Sequence, residues 1–354
     1  MKIKMLLTLA LIASSFLHLI AQTEYNIEKV TVINLGDGKM LFRERDSEKP
    51  LQGERRIIDG YRSEYLLAEF KDGLYNGSYK HYKYNKLSEE GNYKEGRKDG
   101  QFKEFFSDES LKSEKYYKEG KATGLWKTYY TDGAVESEKE YKDGLENGIQ
   151  KRYEYETGDL TTDFNYVNGM QHGRQMQYQA GNEGKNIKER NYNMGVLDGL
   201  YCETLANGVI KSKGSYKNGK KEGKWISNRK DGKPEEEVNY KADKKDGEMR
   251  KYYTDGTIES ISNYTNDKKN GMTTVFYYDT GKKKSEYNYV NGKKEGAYKL
   301  YYDNETLKEE GKCENDQDVY RKEYYTNGKL KSIKERTRTG WDTLERYDEK
   351  GKKI

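Results

Sequence analysis

The chain has 354 residues, of which 36% are charged and only 32% hydrophobic even with its 35 tyrosines counted. That leaves too little aliphatic material for a thick three-layer core, while 13% aromatic residues is far too many for a disordered polymer. Its 66 basic and 61 acidic residues nearly cancel, at net +5, without the concentrated cationic excess of a nucleic-acid binder.

Residues 1–21 read as an export leader. Lys2 and Lys4 precede an apolar run from Met5 to Ile20, with a cleavage point after Ala21. Ser14, Ser15 and His18 interrupt a stretch already short for spanning about 30 Å of hydrocarbon, so a cleaved leader is favoured over an anchor. No later segment is apolar enough to cross a membrane as a helix. Residues 22–69 are expected to form an N-terminal cap with at least one degenerate repeat, because Gly53 lies 24 residues before Gly77.

From residue 70 to 312 the chain repeats ten times. An anchor aromatic recurs at Phe70, Tyr93, Tyr117, Tyr141, Tyr166, Tyr192, Tyr216, Tyr240, Tyr264 and Tyr289, at intervals of 23 to 26 residues. Each is followed at +7 by glycine: Gly77, Gly100, Gly124, Gly148, Gly173, Gly199, Gly223, Gly247, Gly271 and Gly296. Positions +2/+3 carry turn dipeptides such as Asp72-Gly73, Asp143-Gly144 and Asn218-Gly219, which suit a two-residue hairpin with positive φ at both central residues. At +3, Asp243 and Asp267 replace glycine, and Asp also enters the left-handed region. A second turn falls near +15/+16, as at Asp132-Gly133, Asn207-Gly208 and Asp255-Gly256. The pattern frays over residues 313–354, read as degenerate C-terminal repeats and a cap.

Two turns per unit predict an all-β fold, an elongated meandering antiparallel sheet or solenoid of hairpins of about 24 residues each. Simple alternation puts the anchor, the +9 aromatics and the aliphatics at or beside +18 (Leu87, Leu111, Val135, Leu160, Ile210, Ile258, Leu307) on one face. Charges fall on the other, including the opposed pairs Lys103/Glu114, Lys127/Glu138 and Lys299/Glu310. The +12 aromatics, among them Tyr82, Phe105, Tyr129, Tyr153, Tyr252 and Tyr301, land on the charged face, by a bulge or by packing on both sides. The +7 glycine is placed across the first turn from position −2, glycine at Gly91 and Gly214, which predicts a small-residue notch for a ring. The candidate interaction face is an aromatic row of Tyr93, Phe102, Tyr117, Trp126, Tyr141, Tyr201, Trp225 and Tyr298.

Units such as YKEGKATGLWKTYYTDGAVESEKE, Tyr117–Glu140, resemble the bacterial variant of the MORN repeat, seen in proteins labelled YwqK-like antitoxins. The resemblance covers roughly residues 40–350 and departs where +9 is Gln150, Gln175, Met249 or Thr273. It implies an elongated sheet of stacked hairpins that serves as an interaction scaffold, without chemistry of its own.

The residues offer no catalytic constellation. His81 and His172 lie in separate units, Cys202 has no neighbouring His, and Cys202 and Cys313 are too few for a disulfide framework. No enzyme activity, metal or cofactor is expected. The leading expectation is an exported scaffold that binds protein or envelope material, with self-association of the aromatic face open. A carbohydrate- or cell-wall-binding role is the alternative, and an antitoxin-like binder of a toxin a second.

Overall fold

A computed structural model describes residues 23–354; the expected leader lies outside them. Among the described residues, apart from one short 3-10 turn at Ile27–Lys29, every regular element is a strand. The chain divides into two compact units, one running through Val135 together with Tyr141–Gly144, the other formed by Glu136–Glu140 and Leu145–Ile354.

The first unit opens with a small conventional core. Val30, Phe42, Leu51, Ile57, Ala68 and Phe70 are buried against one another. Here the meander is broken twice: Thr23–Asn26 pairs in parallel with Gly53–Asp59, and Lys39–Glu44 pairs with the non-consecutive strand Leu74–Lys83 through Leu41 and Leu74. Gly53, at φ +69°, faces Phe70 as the +7 glycines face the next anchor. The rest of this unit, and the whole second unit, consists of consecutive antiparallel hairpins, such as Lys220–Asn228 with Pro234–Lys241. Hairpins continue through residues 313–354, with Leu307–Glu314 paired to Gln317–Tyr324 and Leu330–Thr337 paired to Gly340–Arg346.

The first turns form as the dipeptides dictate. Asp143 and Gly144 take φ +51° and +89°, and at Ala242-Asp243 and Asn266-Asp267 both residues are also left-handed. These turns bond from repeat to repeat. The +3 N–H donates to the +5 carbonyl of the preceding repeat, as in Gly219 to Leu197 at 2.7 Å and Asp267 to Lys245 at 2.9 Å. Where +3 is Asp, its carboxylate also accepts the +5 N–H, Lys221 to Asp243 and Lys245 to Asp267, each at 2.7 Å. At +6 an oxygen accepts the +2 N–H of the next turn, as Asp198 does from Asn218 and Glu222 from Ala242. Each hairpin is therefore fastened to its neighbour by side chains as well as by the ladder.

Two bulges modify the register expected from simple alternation. After the first turn the pairing jumps from Tyr240↔Lys245 to Val238↔Met249, two residues on one strand against four on the other. The +7 glycine sits in this jump, and all ten have positive φ, from +66° at Gly124 to +124° at Gly77. Its partner across the first turn is thus not position −2. The insertion is even, so +9 stays on the anchor face and lies directly across from −2. The second bulge is odd. Glu203 faces Ser212, but the next pair is Thr204 with Ile210, leaving Lys211 extra. The same step pairs Tyr82 with Leu87, Phe105 with Leu111, Tyr153 with Leu160, Tyr252 with Ile258 and Tyr301 with Leu307. An odd insertion exchanges faces, so these aliphatics leave the anchor face and join the +12 aromatics. This corrects their expected placement beside the anchors.

Candidate functional site

The anchor face is a column of rings. In the first unit Tyr75, Tyr79, Tyr93, Phe102, Tyr117, Trp126 and Tyr141 follow one another with centroids 4.5–5.4 Å apart. Tilted and edge-on ring pairs of this kind add about 0.5–1.5 kcal/mol each beyond the area they bury. In the second unit Tyr201, Tyr216, Trp225 and Tyr240 form a shorter run, and Tyr287 stacks on Tyr298 at 5.1 Å.

The notch that admits these rings lies at −2. A Cβ on Gly91 would meet Phe102 at 2.5 Å, and one on Gly214 would meet Trp225 at 2.2 Å. No ring lies close to the +7 glycines, except that Gly124 would approach the Cβ of Tyr116 at 3.7 Å. The notch reading belongs to −2, and +7 serves the bulge.

Depth decides what the column can offer. Phe102, Trp225 and Tyr298 are only 1%, 6% and 2% exposed, so they present no ring to a partner. Tyr93, Tyr117, Trp126, Tyr141 and Tyr201 are half-buried. Lysines at +5 cover the rings further: Lys98 Nζ stands 4.2 Å from the Phe102 centroid, Lys221 4.3 Å from Trp225, and Lys269 5.0 Å from Tyr289. Burial pushes the phenols up, Tyr117 and Tyr201 to about 12. On the opposite face the +12 tyrosines donate to a glutamate at −3 across the first hairpin, Tyr129 to Glu114 at 2.9 Å and Tyr301 to Glu286 at 2.7 Å. Lys103 faces Glu114 and Lys299 faces Glu310, as alternation requires.

One recurring residue escaped the sequence reading. Asn precedes the anchor at Asn165, Asn191, Asn239 and Asn263, and its Nδ2 donates to the +8 carbonyl freed by the first bulge, at 2.8–3.2 Å. The Asn-Tyr dipeptide was its visible signal.

The first-turn edge varies most. Position +4 is Lys121, Lys220, Lys244, Lys268 and Lys293 in five repeats, but Leu145, Met170 and Val196 in three consecutive ones. These three are 51%, 42% and 47% exposed. Each lies beside the glycine of the next turn: Leu145 Cδ2 is 3.8 Å, and Val196 Cγ1 3.7 Å, from where a Cβ on Gly169 or Gly219 would stand. Met194, at the neighbouring turn, is exposed as well.

The remaining chemically active side chains are scattered. His81 contacts Glu64 at 3.3 Å, while His172 Nδ1 accepts the Met194 N–H at 3.4 Å. Cys313 stands where an anchor ring would be, facing Gly296, and donates to Asp318; burial, then that carboxylate, pushes its thiol up to about 12. Among the described residues no group of three or more His, Cys, Asp or Glu side chains is placed to hold a metal ion. No described helix is long and apolar enough to cross a membrane.

Six segments match the MORN repeat variant. They are residues 98–119, 122–143, 221–242, 245–266, 272–291 and 317–335. MORN repeats are in general non-catalytic interaction scaffolds. The gap between the second and third MORN match, residues 144–220, holds Leu145, Met170 and Val196 at the edge, and Gln150 and Gln175 in the ring column. No curated protein matches the chain.

Proposed function

We propose that the chain is an exported, non-enzymatic repeat scaffold that holds a protein or envelope partner on its first-turn edge. The reading rests on one observation: Leu145, Met170 and Val196 put exposed apolar side chains where five other repeats put lysine. An exposed apolar strip on a surface otherwise dense in charge marks a contact site. It occurs where the MORN match lapses, while the backbone there keeps the same hairpins, Gly199 facing Tyr216 as Gly223 faces Tyr240. The rigid ladder supplies the spacing between contact points. The column of rings serves as the interior of the scaffold.

The test is affinity capture of the mature chain from its native envelope, compared with a Leu145→Lys, Met170→Lys, Val196→Lys variant. That variant gives three repeats the residue their neighbours carry, so its circular dichroism should be unchanged. Loss of the captured partner in the variant is the expected result; recovery of the same set with both proteins defeats the proposal. Mass measurement of the chain from cells should place its first residue at Gln22.

A further inference from the structure

The Tyr264 repeat lacks the ring that fills the +9 slot of the Tyr216 repeat. Its +9 residue is Thr273 and its −2 residue is Ser262, directly opposed across the first hairpin. Thr273 Oγ1 and Ser262 Oγ bond to each other at 3.2 Å, both side chains being buried. Where Trp225 fills the equivalent slot over Gly214, this repeat leaves a pocket of about 250 Å³. Lys251, Ser260, Ser262, Tyr264, Lys269 and Thr273 line it. Register places these residues on one face: Lys251 opposes Ser260, Ser262 opposes Thr273, and Tyr264 opposes Lys269.

The charges of this pocket are not balanced internally. Among the described residues neither Lys251 nor Lys269 forms an ion pair, although Lys269 lies over the Tyr289 ring. Glu259 at the wall and Glu236, which faces Lys251 across the ladder and is already paired with Lys245, are two carboxylates against the four cations Lys245, Lys251, Lys269 and Lys294. Burial holds the Lys269 ammonium below its ordinary range, and the like charges of Lys251 and Lys294 add to the effect. A lysine so placed gains from an anion that takes the place of lost water. Three hydroxyls beside the cations offer donors and acceptors, and Tyr264 adds a ring face.

We propose that this pocket binds a single-ring sugar carrying an anionic group, a carboxylate or a phosphate, with Lys251 and Lys269 on the charge and Ser260, Ser262 and Thr273 on the hydroxyls. The volume exceeds that of a bare oxyanion, and the wall has more hydroxyls than an oxyanion needs. The site is independent of the apolar edge, and neither proposal falls with the other.

Calorimetric titration of the full chain tests it with glucuronate, glucose 6-phosphate, inorganic phosphate and glucose. Heat of binding is expected with one or both charged sugars and not with glucose; which of the two binds tells carboxylate from phosphate. Lys269→Met should weaken that binding at least about tenfold, the loss of one charge-assisted contact. The double variant Ser262→Gly, Thr273→Trp rebuilds the slot in the image of Gly214 and Trp225; it should keep or raise the melting midpoint and abolish binding. Absence of heat with both charged sugars overturns the proposal, and so does undiminished binding in Lys269→Met or in the filled variant. Inorganic phosphate binding as tightly as the sugars overturns the role given to the sugar ring.

Discussion

The Tyr216 and Tyr264 repeats share one backbone and differ in what they put between the strands. Both keep the left-handed +7 glycine, φ +69° at Gly223 and +103° at Gly271, and both pass a turn N–H to the repeat before. In the first, Trp225 covers Gly214 and donates from Nε1 to the Ser215 carbonyl at 3.1 Å. In the second, Thr273 and Ser262 bond each other above a pocket. Trp225 and Thr273 are nearly equally buried, 6% and 4% exposed. The hairpin geometry therefore does not depend on the ring. Turn and bulge chemistry sets the backbone, and the +9/−2 slot is left to trade packing against space.

Alkali should break both repeats, and with the largest effect. Burial pushes the phenols of Tyr216, Tyr240 and Tyr264 up, and that of Tyr201 to about 12. Their folded values lie above the unfolded value of about 10, so the neutral phenols' contribution is complete below that pH and is lost as pH rises through the folded values. Strand circular dichroism should collapse together with a steep rise in tyrosinate absorbance. A gradual rise centred near pH 10 with the strand signal intact would count against buried phenols.

Next in size is the contrast between the slots. Trp225→Ala should cost about 3–5 kcal/mol, the range for emptying a large buried ring, whereas Thr273→Ala should cost about 1 kcal/mol, one hydrogen bond. Denaturant midpoints read both, and equal losses would erase the distinction drawn between the repeats. The smallest effect concerns the bulge they share in form. Asn263→Ala removes the bond to the Met272 carbonyl at 3.2 Å and should cost about 1 kcal/mol or less. Amide exchange should quicken around residues 263–273 and stay unchanged around the Tyr216 repeat.

Much of this was legible in the residues. Asp-Gly and Asn-Gly announced the first turns because few other dipeptides accept positive φ twice, and Asp243 and Asp267 behave as that argument requires. The facing of Gly223 and Tyr240 follows from counting back from the second turn. What counting missed were the two bulges, because pairing by alternation assumes that every residue has a partner. The even one moved Gly214 under Trp225; the odd one carried Ile210 across the sheet to Thr204. An Asn before the anchor was the clue to the first, since a carbonyl that leaves the ladder needs another donor. The edge at Leu145, Met170 and Val196 was equally visible as a break in a lysine column, but only exposure gave it meaning.

The bonds between successive turns bear on how such a chain changes length. Lys221 meets the amide of Asp243, and Lys245 meets that of Asp267, through the same pair of contacts. Excising residues 240–263 would bring Asp267 to the place Asp243 had held, with the turn-to-turn donors and acceptors at the seam supplied again. Copy number is then a heritable variable that gene duplication or deletion can adjust in whole steps, without redesigning a single junction.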